Sequence, residues 1–415
     1  MNRTKRSALL ALSSIPLIMT LGNSMLIPVL PAIRRKLELT PFQTSLIITV
    51  FSVMAILFIP PAGWLSDRIG RKRVILPCLV LAGIGGAVCT AALIWLEAPY
   101  PYLLAGRMLQ GIGAAGAAPI VMPLVGDMFK SKEQVSEGLG LIETSNTFGK
   151  VLSPIIGSVL AMLVWYAPFA AIPVFALAAV LLVALLVRTP KKPKKPQPLP
   201  EFLRSLRVIF RQKGRWLFAV FALGGLGMFI LFASLVHLSD DLENRLGLTG
   251  AWKGAVLAVP LAVLCTASWA AGKWIGERKR RMKMTAAAGF ALSACATGAC
   301  AAMDGIWLQL ALFCAAGLGI GAALPCLDAF ITEGIDEAHR GTIGSFYSSM
   351  RFAGVALGPP AASLLGRPDA DPLFWCLSAA GAVSALVAWL AIRPGKPRSR
   401  AYTGPRLIGR PSPSR

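Results

Sequence analysis

Charged residues are scarce in this chain of 415 residues, at 15% of the total. Soluble domains carry about a quarter, whereas 55% of this chain belongs to the hydrophobic set. Long apolar stretches alternate with short polar ones, and each can cross a hydrocarbon core of about 30 Å as a helix of about 20 residues. The composition therefore excludes secreted enzymes, cytosolic enzymes and nucleic-acid-binding proteins.

Catalytic and metal-binding patterns are also missing. The only two histidines, His237 and His339, lie far apart in the sequence, and no Gly-Lys-Ser/Thr loop of the kind that cradles phosphates occurs. The eight cysteines fall inside apolar stretches without metal-ligand spacing, and we interpret them as packing residues. The sequence predicts no enzyme activity, no metal site, no cofactor and no ATP-driven step.

What the chain does contain is a series of twelve apolar spans, separated by glycine, proline and clusters of charge. The predicted spans are residues 8–33, 42–65, 74–96, 100–126, 135–165, 168–187, 215–238, 252–275, 284–303, 306–332, 342–365 and 373–392. We predict an all-α membrane protein with twelve transmembrane helices.

Basic residues are divided unequally between alternate connections. Of the 42 Lys and Arg, 33 fall on the side that holds both ends of the chain, six on the other side and three within spans. Positive charge marks the cytoplasmic side, which predicts a multi-pass membrane protein with both termini in the cytoplasm. Contact with anionic lipid headgroups then accounts for the net charge of +23 without any nucleic acid.

The chain has a duplicated organisation. The longest polar stretch lies halfway along, and its second part has the pattern of a helix on the membrane surface. On either side of it, Gly149 and Pro154 recur 205 residues later as Gly354 and Pro359. We predict an N-terminal six-helix half at 1–187, a basic linker at 188–214, a C-terminal six-helix half at 215–392 and a disordered basic tail at 393–415. Two such repeats around a central cavity are typical of secondary transporters.

The connection between the second and third spans contains a motif of glycines and charges, with Gly63, Asp67, Arg68, Gly70 and Arg71 at its defining positions. Gly70 permits the backbone conformation of a tight turn. The motif resembles the loop signature of the major facilitator superfamily. That resemblance implies a charge network of Asp67 and Arg71 with Asp127, at the end of the fourth span, that latches the outward-open state.

The fourth span carries an arginine. Placing a charge there costs about 2.5–3.5 kcal/mol on insertion scales, so Arg107 should face protein or water. Its surroundings, with Gln110, Gly111 and Gly113 following, resemble the superfamily's helix 4 signature, which implies a link to proton transfer. The alternative is an arginine whose head extends to the outer membrane surface about seven residues away.

The fifth span resembles the signature of the exporter branches of the superfamily. Its matching positions are Gly140, Gly149, Ser153, Pro154 and Gly157. Ser153 and Ser158 replace two glycines of that signature, and both are small enough for close helix packing. The glycine and prolines of the first span also resemble the twelve-helix drug:proton antiporters. The resemblance implies export in exchange for protons, with the proton gradient as the energy source.

Five ionisable residues within spans are candidates for function, because each is costly to bury without a partner. They are Arg107, Glu143, Lys150, Asp328 and Arg351. We predict Glu143 as the main proton carrier, with a structural ion pair to Lys150 or Arg351 as the alternative. Arg107 and Asp328 are further candidates for proton coupling, although a structural role is favoured for Asp328.

The remaining polar and aromatic residues of the spans predict the cargo. Cations beside aromatic rings favour an anionic aromatic or zwitterionic ligand. The predicted substrate-binding residues are Lys150, Arg351, Asn146, Tyr347 and Asn23. The stretches around them resemble a bacterial branch of the superfamily that exports catecholate siderophores.

Together these observations predict a proton-coupled exporter that works by alternating access. The cargo is either an anionic, siderophore-like molecule or a broad set of lipophilic drugs. Two further hypotheses are an importer of a small metabolite, against which the pattern of the fifth span argues, and a membrane enzyme or receptor. We expect a monomer whose partners are a small-molecule substrate, protons and membrane lipids.

Overall fold

The computed structural model describes residues 3–129, 132–187, 199–275, 278–303, 305–335, 337–366 and 372–392. All the regular structure within these ranges is helical, which confirms the predicted all-α class. The elements are α1 (Arg3–Ser24), a 3-10 turn (Ile27–Val29), α2 (Leu30–Lys36), α3 (Pro41–Ile69), α4 (Arg71–Trp95), α5 (Tyr100–Met128), α6 (Lys132–Leu163), α7 (Ala167–Leu186), α8 (Leu199–Asn244), α9 (Gly250–Ile275), α10 (Lys279–Cys300), α11 (Ile306–Gly334), α12 (Glu337–Leu365) and α13 (Pro372–Ala391).

The first predicted span is broken, and the other connections are tight. Pro28 and Pro31 remove two backbone donors within one turn, and the α-helix gives way there to the 3-10 turn. α3 begins on a capping box in which Thr40 and Gln43 satisfy each other's backbone N–H groups. Gly70 ends α3 with a φ of 103°, a conformation that glycine adopts at little cost.

The helices form two halves with the same internal contacts. In the first half α4 packs against α5 and α7, and in the second half α10 packs against α11 and α13 in the same way. The contacts of α1 with α6 and of α3 with α5 recur as those of α8 with α12 and of α9 with α11. The predicted pair of six-helix repeats is therefore confirmed.

The two halves meet along two pairs of helices, α3 with α12 and α6 with α9, and the 3-10 turn also contacts α8. We call the end of the bundle at which α1 begins the proximal end, and the opposite end the distal end. The pairing places α6 at the interface, and eight of the nineteen predicted site residues lie on this helix.

Ten of the twelve predicted spans are long and apolar enough within the described residues to cross a membrane. The two others are α10 and α12. α10 begins with a basic run and is rich in small residues, and α12 carries Arg351 among hydroxyl groups. Both pack against other helices on more than one side, so their lower hydropathy accompanies burial within the bundle.

The linker differs from its predicted form in one respect. α8 runs without a break from Leu199 to Asn244, so the described part of the linker is continuous with the seventh span and no helix end falls at residue 214. The basic run at 188–198 and the tail at 393–415 lie outside the described residues.

Candidate functional site

Three predicted residues of the second half form one cluster between α11 and α12. A guanidinium nitrogen of Arg351 lies 3.9 Å from a carboxylate oxygen of Asp328. The same guanidinium lies 5.7 Å from the ring centroid of Tyr347, whose side chain is buried. The Asp328 side chain is 41% exposed and that of Arg351 19%. The cluster is therefore a partly exposed cation–carboxylate pair beside a buried aromatic ring.

Glu143 belongs to a separate chain of hydrogen bonds in the first half. The Asn146 amide donates to Glu143 Oε1 at 3.4 Å, and the Thr20 hydroxyl donates to Asn146 Oδ1 at 2.7 Å. These bonds tie α6 to α1. No ion pair within 4.0 Å joins Glu143 to Lys150 or Arg351 among the described residues, so the alternative role in a structural ion pair is not realised in this structure.

Lys150 is a buried cation without a direct partner. Its side chain is one helical turn beyond Asn146 and the residue is 8% exposed. Within the described part of the chain, no carboxylate lies within 4.0 Å of its ammonium and no hydrogen bond reaches it. It is within electrostatic range of Glu143, Asp328 and Arg351. An unpaired buried cation is costly, and a ligand anion would relieve that cost.

The Lys150 side chain lines a pocket between the halves, close to α8 and α9. In this structure the pocket is narrow: its volume of about 10 Å³ has room for about one water molecule, so a larger ligand would enter only as the halves move apart. Its lining residues are Ser24, Ile27, Lys150, Pro154, Leu231, Phe232, Leu235, Leu257 and Leu261. One cation and one hydroxyl thus stand among apolar walls, which suits a ligand with an anionic group on an apolar body.

The predicted residues Arg107 and Asn23 lie together in a different place. Arg107 donates to the Ile47 carbonyl at 2.7 Å and to Asn23 Oδ1 at 2.5 Å, and it also binds the Gln110 side chain. Its guanidinium lies 4.5 Å from the ring centroid of Phe51. Arg107 is fully buried, so the alternative in which its head reaches the outer surface is wrong.

This arginine cluster contains neutral acceptors only. No carboxylate lies within 4.0 Å of Arg107 in the described ranges, and its hydrogen bonds connect α1, α3 and α5. Asn23, predicted to bind substrate, uses its side-chain oxygen to satisfy this arginine. The structure therefore brings neither residue into contact with the Glu143 chain or the Arg351 cluster.

At the proximal end, the motif between α3 and α4 makes the expected charge network. Arg71 lies 3.1 Å from Asp67 and 2.5 Å from Asp127. Arg68 instead stacks over Trp64 at 4.6 Å and has no carboxylate within 4.0 Å among the described residues.

Two further features belong to this motif. A Cβ at Gly63 would lie 3.2 Å from the Ser345 hydroxyl of α12, so this glycine lets the two halves approach. The network is formed while the distal ends of the halves are also in contact, through Arg35 and Glu243. Formation of the network therefore does not require separated distal ends.

The glycine and proline residues of the α6 signature lie on different faces of the helix. Gly149 and Gly157 pack against α1, and a Cβ at Gly157 would overlap the Met25 carbonyl. Gly140 faces open space. Pro154 has no N–H to offer the Lys150 carbonyl, and the buried Ser153 hydroxyl donates to that carbonyl at 2.9 Å. The serine that departs from the signature thus repairs the bond that the proline removes.

Sequence reasoning missed a second buried lysine at the distal end. Lys253 is 1% exposed, and its ammonium lies 2.6 Å from Glu243 and 2.8 Å from the Pro28 carbonyl. Glu243 also pairs with Arg35. Lys253 is the second residue of the predicted span 252–275, and Glu243 and Arg35 fall between predicted spans, so no local signal indicates that these residues meet.

Metal-binding clusters are absent from the described residues: no group of three or more His, Cys, Asp or Glu side chains could hold an ion. The arrangement instead offers an interface between two repeats, an unpaired cation in an enclosed pocket, and two carboxyl groups near that cation. Such a site can bind and release a charged molecule and can exchange protons, which are the needs of a membrane transporter.

Comparisons with known proteins agree with this conclusion. The model of the Major Facilitator Superfamily matches residues 12–352 and 246–412. The bacillibactin exporter of Bacillus subtilis is 52% identical over 372 residues, which cover 89% of this chain and 92% of that protein. The tetracycline resistance protein of class E from Escherichia coli is 25% identical over 95% of this chain and 96% of its own length.

A solved structure supports the fold independently. The human organic anion transporter MFSD10 matches with a TM-score of 0.73 at 18% identity, over 94% of this chain and all of that one. The chain belongs to the major facilitator superfamily. It is therefore a multi-pass membrane transporter of a small molecule and not an enzyme.

Proposed function

We propose that this transporter exports a small organic anion with an aromatic or apolar body, of the catecholate siderophore kind, in exchange for protons. The observation that carries the proposal is Lys150, a buried and unpaired cation in an otherwise apolar pocket. The bacillibactin exporter, at 52% identity, supports a siderophore-like cargo. Arg351 and Tyr347 would contact the same cargo from α12 as it moves between the halves.

The carboxyl groups near Lys150 would carry the protons that are exchanged for cargo. Glu143 is hydrogen-bonded only to a neutral amide among the described residues, so it can gain and lose a proton without breaking an ion pair. Asp328 is paired with Arg351 at the long distance of 3.9 Å and is partly exposed. Exchange for protons requires that proton and cargo bind in alternation, so the cargo would bind while these carboxyl groups are ionised and leave once they are protonated. Asn146 would orient Glu143.

The orientation proposed for the chain follows from its charges. The proximal end would face the cytoplasm of a bacterial cell across the inner membrane, because most basic residues between spans lie on that side. The protein would act as a monomer, since each six-helix half finds its partner within the same chain. Cargo would then enter from the proximal side and leave at the distal end.

The test measures proton release from energised inside-out vesicles when cargo is added, with a catecholate, a non-aromatic organic anion and tetracycline as probes. We expect the catecholate to release protons with the native protein. Lys150→Met should weaken the apparent affinity for the catecholate about tenfold or more, because a charge-assisted contact is lost. Glu143→Gln should abolish proton release. Lys283→Met, which removes a cation stacked over Trp389 where neither residue lines the pocket, is the matched control.

The other outcomes decide against parts of the proposal. A response to tetracycline that Lys150→Met leaves intact would favour drug efflux, which the apolar pocket walls and the tetracycline resistance relative support. Equal proton release by Glu143→Gln and the native protein would remove Glu143 from coupling. Activity in right-side-out vesicles alone would contradict the proposed orientation and direction.

A further inference from the structure

The 3-10 turn of the first span is held by two hydrogen bonds from the other half of the molecule. The Ser239 hydroxyl donates to the Ile27 carbonyl at 3.1 Å, and the Lys253 ammonium donates to the Pro28 carbonyl at 2.8 Å. Both donors lie on the second half, on α8 and α9. The turn is therefore a direct point of attachment between the halves at the distal end.

The turn's sequence leaves its backbone available for these bonds. In a 3-10 pattern the Pro28 carbonyl would accept from the residue three positions later. That residue is Pro31, which has no N–H. The two prolines thus leave a backbone carbonyl of the first half without a partner in the turn, and the ammonium of Lys253 donates a hydrogen bond to it.

Charged pairs around the turn extend the attachment. Glu243 pairs with Lys253 inside the second half and with Arg35 across the interface. Arg34 lies 3.9 Å from Asp240 across the same interface. The Glu243 side chain is 7% exposed, while Arg35 is 56% exposed. The network runs from a buried lysine outward to an arginine at the surface.

The turn also separates the pocket from the distal end. Ser24 and Ile27, which line the pocket with Lys150, lie four residues and one residue before Pro28 in the chain. Arg34 and Arg35 follow at the exposed end of α2. The turn therefore lies in the chain between residues that line the pocket and the arginines of the distal end.

We propose that the Ile27–Val29 turn is the distal gate of the Lys150 pocket, and that Lys253 and Glu243 are positioning residues that hold it shut. Opening would break the bonds to the Ile27 and Pro28 carbonyls and the two arginine pairs. Lys253 would keep Glu243, because both belong to the second half, so no buried charge is left alone. The arginines would pass to water, where their charge is stable.

The assignment of the pocket as the transport site rests on the proposed function, but gate closure can be measured without cargo. The experiment is hydrogen–deuterium exchange of the full chain in lipid nanodiscs, followed at residues 25–37 and 236–248. We expect Lys253→Met to speed exchange in both segments about tenfold, the factor for a charged hydrogen bond of about 1.4 kcal/mol. Arg35→Gln should have a smaller effect in the same direction.

The matched control is Arg245→Gln, which removes a pair to Asp241 inside the second half and no bond between the halves. Its exchange should equal that of the native protein. If a folded Lys253→Met protein exchanges amide hydrogens in these two segments at the native rate, the proposed role of the turn as a gate is wrong. If Lys253→Met fails to fold, the exposed Arg35 decides, and unchanged exchange in Arg35→Gln overturns the proposal. A gate that opens as expected in a protein that exports no catecholate would contradict the proposed cargo only.

Discussion

The three buried Lys and Arg residues in the described part of the chain have three different surroundings. Arg107 is satisfied by neutral acceptors on three helices of one half. Lys253 is satisfied by a carboxylate and a carbonyl from opposite halves. Lys150 has no direct partner among the described residues. Since an unpaired buried charge is costly, the three arrangements imply a structural role, a role between the halves and a ligand site, respectively.

The contacts of Arg107 predict that its loss acts first on stability. We expect Arg107→Met to lower the free energy of unfolding by about 3 kcal/mol, because carbonyl and amide acceptors are left buried and unsatisfied. Asn23→Ala should cost less, since it removes one acceptor of several. Chemical unfolding in detergent would measure both. A folded Arg107→Met protein of native stability that no longer couples protons to transport would instead support the proton-linked role that the signature implies.

At the scale of elements, α6 combines packing and binding on different faces. Gly149 and Gly157 allow α1 to approach, and Pro154 packs against α9 at Gly254. Lys150 and Glu143 occupy the face between these contacts. The signature residues of this helix therefore make the close contacts that position Lys150 and Glu143.

Two glycines of α6 provide a matched pair for testing this packing. A Cβ at Gly157 would overlap the Met25 carbonyl, whereas a Cβ at Gly140 would meet nothing within 4 Å. We expect Gly157→Ala to destabilise the protein by about 1–3 kcal/mol through overpacking. Gly140→Ala should be neutral or stabilising by up to about 1 kcal/mol through helix propensity. Thermal unfolding of the two variants checks this, and equal effects would contradict the assigned contacts.

At the scale of the whole molecule, the halves are joined at both ends. The distal end is held by ion pairs between the halves, such as Arg35 with Glu243. The proximal end has the network of Asp67, Arg71 and Asp127 inside the first half, beside the contact of Gly63 with Ser345 of the second. A cycle that alternates access must release these two ends in turn.

The proximal network should affect the transport cycle more than stability. We expect Asp127→Asn to lower the free energy of unfolding by under about 1 kcal/mol, because the pair with Arg71 is partly exposed. Transport should fall about fivefold or more, the usual scale for coupling between conformational states. Initial rates in vesicles measure this. Arg68→Gln, which removes only a stacking contact with Trp64, should have the smaller effect, and a reversed order would contradict the latch.

The sequence by itself determined the twelve spans, the two repeats and the superfamily. Each depends on signals written locally along the chain, namely runs of apolar residues, the placement of basic residues and short glycine and charge motifs. The ion pairs of Arg71 in the proximal motif were also predictable, because the resemblance names the partners. Glu143, Lys150 and Arg351 were identified as functional candidates by their cost inside a span.

Only the tertiary structure decided which charges meet. Arg107 binds Asn23 on a helix 84 residues away, and Arg35 binds Glu243 at a separation of 208 residues. Such pairings depend on how each helix is rotated and tilted against its neighbours. The hydropathy of a span does not change when the helix rotates about its axis, so it cannot predict which side chains meet. The same rotations leave Lys150 unpaired in its pocket and place the ammonium of Lys253 against the Pro28 carbonyl.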